Sequence, residues 1–99
     1  MLGNYKKVAI IKTNIKLTDG SGYRNTKIPL NLEFTPKYII VICQEDKSDK
    51  FDSIVYPFNK NQNTSSGGLM GCIFDVTNKE FIINAVCINT YVKEIVAIE

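Results

Sequence analysis

Two polar stretches carry the side chains best suited to chemistry. Between Gln44 and Asp52 stand four carboxylates, Glu45, Asp46, Asp49 and Asp52, with Lys47 and Lys50 interleaved. Carboxylate oxygens at such spacing are calcium ligands in principle. The order nevertheless lacks the central glycine and terminal glutamate of an EF-hand loop, and the lysines offset part of the charge. A pair of these acids working as glycosidase acid and base would need a cleft built by several elements, which a small β domain seldom supplies. A solvated loop is therefore expected, with Asp46 and Asp49 as candidate ligand contacts and no metal. The second stretch, Asn59 to Gly68, contains no apolar residue. Its Asn59, Asn61, Gln62, Asn63 and Thr64 offer both donors and acceptors, which recognition of sugar hydroxyls requires, and they are the leading ligand-binding candidates.

Other chemistries are closed off by what the chain lacks. It has no histidine, so a Ser-His-Asp triad, a Cys-His pair and the usual zinc sites are not expected, and no catalytic residue is assigned. Cys43, Cys72 and Cys87 are odd in number, each lies in an apolar run, and no Cys-x-x-Cys spacing occurs. Buried free thiols are expected; one disulfide with a leftover thiol is the alternative, and it needs two Cα atoms within about 7 Å. Of the 12 basic residues only Arg24 is arginine, and the net charge is +2. Lysines scattered among acids do not make a nucleic-acid surface. The sequence Asp19-Gly20-Ser21-Gly22 reads as a tight turn and not a phosphate loop, since no Gly-Lys-Ser/Thr follows it. No cofactor is implied, the N-terminal residues lack the apolar core of a signal peptide, and no membrane association is expected.

The elements that position these stretches are strands. Pro36 fixes its own φ and holds Thr35 extended, so a strand begins near Lys37 and runs through the apolar residues Tyr38 to Cys43. Around it, Tyr5 to Leu17 reads as a long strand bulged near Lys12, and Asn25 to Leu30 as a short one. Pro29 cannot donate to a ladder, so the latter lies at an edge or ends there. Phe51 to Phe58, Leu69 to Val76 (with Gly71 as a bulge), Phe81 to Ile88 and Tyr91 to Glu99 complete the set. Thr77-Asn78-Lys79-Glu80 is a hairpin turn in which Asn78 takes the left-handed conformation. Pro, Gly and Asn interrupt every helical window. About seven short strands in 99 residues predict one all-β domain, an antiparallel two-sheet β-sandwich, with a small β-barrel as the alternative.

Tyr38 to Cys43 and Phe81 to Ile88 are apolar on both faces, whereas a sheet face that meets water should be polar. Something must cover the second face, and association of copies through it is the expected solution. Ile40, in the central strand, is expected to be buried, so that Ile40→Asp abolishes folding.

Three segments also resemble a pattern found in small domains of bacteriophage tail-fibre and related tail proteins. They are Thr18-Asp19-Gly20-Ser21-Gly22, Ile28-Pro29-Leu30, and Phe34-Thr35-Pro36-Lys37-Tyr38-Ile39-Ile40-Val41, echoed near the end by Asn89-Thr90-Tyr91 and Val96-Ala97-Ile98. The chain departs from the pattern at Glu33, where glycine is usual, and at Lys93-Glu94-Ile95, which replaces a more aromatic run. The resemblance implies a non-enzymatic tail component of a virion, structural or binding a bacterial cell-surface glycan, and a homo-oligomer, commonly a trimer. A small cytosolic or virion-associated protein-interaction domain without sugar binding is the other expectation.

Overall fold

The computed structural model describes residues 7–17, 24–49, 51–57, 70–86 and 89–99. Seven strands cover most of them: β1 (Val8–Lys16), β2 (Arg24–Pro29), β3 (Tyr38–Glu45), β4 (Phe51–Tyr56), β5 (Met70–Phe74), β6 (Glu80–Val86) and β7 (Thr90–Ile98). They form a four-stranded sheet in the order β1-β7-β3-β4 and a three-stranded sheet in the order β2-β6-β5. Every pairing is antiparallel. The two sheets remain separate, so the fold is a sandwich and not a closed barrel. β3 lies inside its sheet, between β7 and β4, and Pro29 does lie in an edge strand.

One face of each sheet supplies the core. Ile39, Val41 and Cys43 of β3, Val92, Ile95 and Ala97 of β7, and Ile54 of β4 are fully buried against Ile28 of β2 and Phe81 and Ile83 of β6. Alternation along each strand, with period two, is what sends these residues inward together. Leu17 and Leu30 close the ends of the same cluster.

The alternate residues of the larger sheet face outward, and their register lines them up in rows. Val8, Ile98 and Tyr38 form one row; Ile10, Val96, Ile40 and Val55 form the next; Lys12, Glu94, Ile42 and Ser53 form a third. The first two rows are wholly apolar, and Val8, Ile10 and Tyr38 are at least half exposed. Ile40 belongs to this outer surface and is only half-buried. The expectation of a buried Ile40 is thus corrected to its neighbours Ile39 and Val41, because the residue's parity in the strand, and not the strand's central position, decides which side it meets. The smaller sheet differs: outward from β6, Asn84 bonds Asn25 at 2.6 Å and Ile82 lies between Lys27 and Phe74. β6 is therefore two-faced to a smaller degree than β3.

Three local expectations change. Gly71 sits in an unbroken register opposite Ala85, where an added Cβ would come within 2.5 Å of the Asn84 carbonyl oxygen. It permits close approach of strands and does not mark a bulge. In the β5–β6 turn the left-handed residue is Asp75, with φ 52°, while Asn78 donates from its side-chain amide to the Leu32 carbonyl at 3.1 Å. Cys43 is fully buried, but Cys72 faces outward from β5 and is half-buried. Cys72 is a free thiol, and Cys87 lies outside the described residues.

Candidate functional site

The bulge expected near Lys12 is present, and it shapes the site. On β1 two residues, Thr13 and Asn14, lie between the partners of Glu94 and Val92; on β7 only Lys93 does. Against β3 the same Lys93 is the extra residue, since Ile42 and Cys43 face Glu94 and Val92 in turn. Bulges bend a strand and redirect side chains. Here Asn14 and Lys93 meet, the lysine Nζ donating to Asn14 Oδ1 at 2.5 Å, and the same ammonium stands 5.3 Å from the centroid of the Tyr91 ring.

Beside the bulge, the β3–β4 turn folds back over the sheet. Lys47 takes the left-handed conformation, with φ 63°, and Ser48 N–H donates to the Glu45 carbonyl at 3.1 Å. Gln44 Nε2 donates to the Ser48 carbonyl at 2.6 Å, which ties the turn to its own strand. Asp46 N–H donates to the Asn89 carbonyl at 2.7 Å, which ties it to the start of β7. Between turn and bulge lies an open groove of about 470 Å³, lined by Asn14, Gln44, Glu45, Asp46, Lys47, Ser48, Asp49, Tyr91 and Lys93.

Asp46 and Asp49, the acidic candidates from the sequence, thus lie in one groove with two lysines, two side-chain amides and a phenol ring. Glu45, Asp46 and Asp49 are all exposed. Gln44 is paired on one side with Tyr91 and on the other with Phe51, which is 58% exposed. An aromatic–amide–aromatic row therefore borders the groove on the outer face of the sheet. Such a surface can donate and accept hydrogen bonds while offering flat rings to the C–H faces of a ligand. Among the described residues no group of three or more His, Cys, Asp or Glu side chains is placed to hold a metal ion.

Asn59, Asn61, Gln62, Asn63 and Thr64, the other sequence candidates, lie outside the described residues. Asn14, Tyr91 and Lys93 were not legible as site residues from composition. The signal that marks one of them is local: Lys93 and Glu94 are adjacent charged residues where the alternating burial of β7 breaks, whereas Asn14 falls in the unbroken alternation of β1. The charged pair is the sequence trace of the bulge.

No helix among the described residues is long and apolar enough to cross a membrane. Comparison with protein families, with curated proteins and with solved structures finds no match to this chain.

Proposed function

We propose that the chain is a non-enzymatic binding and structural domain of the phage or prophage tail type, which contacts hydroxyl-rich glycan on a bacterial surface through the groove beside the β3–β4 turn. The observation that carries the glycan reading is the Tyr91–Gln44–Phe51 row set against exposed carboxylates, amides and lysines in one open groove. Sugars present alternating hydroxyl edges and apolar C–H faces, and a mixed polar and aromatic surface matches both. The tail assignment, and with it a virion location and a homo-oligomeric state, rests on the resemblance of residues 18–22, 28–30 and 34–41 described above. Exposed acids on an open polar rim suit reversible recognition better than acid–base chemistry, which calls for groups held in a water-excluding cleft.

The test is titration of the protein with soluble fragments of bacterial cell-wall and capsular polysaccharides, followed by amide NMR shifts. Shifts confined to Asn14, Gln44–Asp49, Phe51 and Tyr91–Lys93, lost in Phe51→Ser combined with Asp49→Asn, are the expected result. Binding that survives that double variant, or shifts that map elsewhere, would overturn the groove as the site. A protein-interaction domain without sugar binding is the second reading, and the apolar rows of the outer face favour it.

A further inference from the structure

Among the described residues the two sheets leave four edge strands, β1 and β4 in the larger and β2 and β5 in the smaller. Protein edges carry devices that block pairing with another chain, such as proline, inward-pointing charge, brevity or a covering element. Three of the four carry one: β2 ends in Pro29, β4 turns Asp52 to the inner side opposite the buried Cys43, and β5 is five residues long and lies against β4. β1 differs. It is nine residues long, and the stretch Val8 to Lys12, ahead of the bulge, contains no proline, glycine or inward-pointing charge. We infer that this edge is the contact between two copies of the chain: Val8 to Lys12 pair antiparallel with the same residues of the second copy, which joins the two larger sheets into one continuous sheet. The inference specifies the partner in the homo-oligomeric reading above and is independent of what the groove binds.

Backbone parity leaves the edge open. The Glu99 N–H donates to the Lys7 carbonyl at 2.9 Å, so these two residues are a hydrogen-bonded pair, and in an antiparallel ladder such pairs recur at every second residue. Ala9 and Ile11 therefore bond β7, while the N–H and C=O groups of Val8, Ile10 and Lys12 point away from it. A two-fold pairing centred on Ile10 sets Val8 against Lys12 of the second copy, Ile10 against its own equivalent, and Ala9 against Ile11. The outward groups of all three residues are then satisfied. No lysine faces a lysine in this register, whereas centring on Lys12 would oppose like charges. On the inner side the half-buried Ala9 and Ile11 meet as small against large. On the outer side Ile10, 63% exposed, is covered by its equivalent.

Charge and symmetry select a second copy as the occupant. An edge built for an acidic peptide would keep unpaired cations beside it, but Lys12 is paired with Glu94, and Lys7 with Glu33 at 3.8 Å. The stretch is instead its own match, aliphatic on both sides, and one axis satisfies both chains; such a contact is isologous and closes at two. Side-by-side joining covers neither face of the larger sheet. The bulge at Thr13 and Asn14 ends the pairing before the groove residue Asn14 is reached, so the groove beside the β3–β4 turn stays open in both copies. A contact made by one short strand pair belongs to the small, weak class of interfaces, and association is expected at high micromolar concentration.

The experiment combines light scattering with amide hydrogen exchange, on samples raised to about 1 mM so that a weak contact is populated. The wild-type mass is expected to rise from one chain towards two with concentration. In step with it the amides of Val8, Ile10 and Lys12 become protected, while those of Ala9 and Ile11, bonded to β7, are protected throughout. Ile10→Pro removes a donor that points away from β7, a place where an edge strand accepts proline. That variant is expected to fold, to stay at the chain mass and to leave Val8 and Lys12 exchanging freely. Ile10→Thr keeps both the N–H and the strand preference, and is expected to associate. A wild type that stays at the chain mass overturns the inference, and protection of the three amides at that mass assigns the edge to the chain's own residues. Three copies, association that leaves these amides unprotected, or an Ile10→Pro protein that folds and still associates overturn it as well. Should Ile10→Pro fail to fold, the wild-type exchange pattern together with Val8→Pro, at the first residue of the strand, decides the matter. No reading here involves a sugar, so failure of the edge contact is distinct from failure of the glycan site.

Discussion

Single side chains in this fold divide by parity, and neighbouring positions in one strand answer to different forces. Val41 is fully buried among aliphatic residues of both sheets. Val41→Asp would place a carboxylate there without a partner, and the expected outcome is loss of the cooperative thermal transition. Ile40→Asp, one residue away on the half-exposed outer face, should retain it; circular dichroism melts of the pair check the assignment of faces. Gly71 gives a second residue-scale prediction. Any Cβ at that position meets the backbone of β6, which cannot move as a flexible side chain would. Gly71→Ala should therefore destabilise by about 1–3 kcal/mol, the usual range for overpacking, read as a shift in urea midpoint at constant slope. The thiols give a third. With Cys87 replaced by serine, Cys72 should react with a thiol reagent in the native protein, whereas Cys43 should react only on unfolding. Equal native rates at the two sites would contradict their placement.

The strands were largely legible in the sequence because period-two alternation and proline or glycine punctuation are local signals. Pro36 starts β3, Pro29 lies in β2 at an edge, and the bulge shared by β1 and β7 is where the alternation of β7 changes phase, at Lys93 and Glu94. What was not legible depends on partners distant in the chain. The outward direction of Ile40 follows from the pairing of β3 with β4 and β7, and Asn14 meets Lys93 only because β1 and β7, at opposite ends of the chain, are neighbours. Turn chemistry was misassigned for a similar reason. Asn78 has the intrinsic tolerance for the left-handed region, but its amide is engaged by Leu32, and Asp75 supplies the reversal instead. Backbone bonds from Leu30 and Leu32 to the carbonyls of Lys79 and Asn78, each 2.7 Å, run alongside that contact. Asn78→Ala is thus expected to cost about 1 kcal/mol, the typical net value of one intramolecular hydrogen bond, and to loosen the 30–32 segment against the β5–β6 turn. Amide exchange at Leu30 and Leu32 measures the effect, and unchanged exchange there would show that the side-chain bond adds nothing to the backbone pairing.

At the scale of the molecule, the outer face of the larger sheet has two halves with the Lys12–Glu94 ion pair between them. One half is the apolar rows, and the other is the groove of Asn14, Gln44, Tyr91, Lys93 and the β3–β4 turn. The division suits a domain whose apolar rows and polar groove do different work. The prediction separates the halves. Ile10→Asp should bind a soluble oligosaccharide fragment with the wild-type dissociation constant, because Ile10 is 63% exposed and does not line the groove. Phe51→Ser with Asp49→Asn should lose that binding while keeping the wild-type mass in solution. Calorimetry for the fragment and light scattering give the two numbers. An Ile10→Asp protein with weakened fragment binding would show that the two halves are coupled.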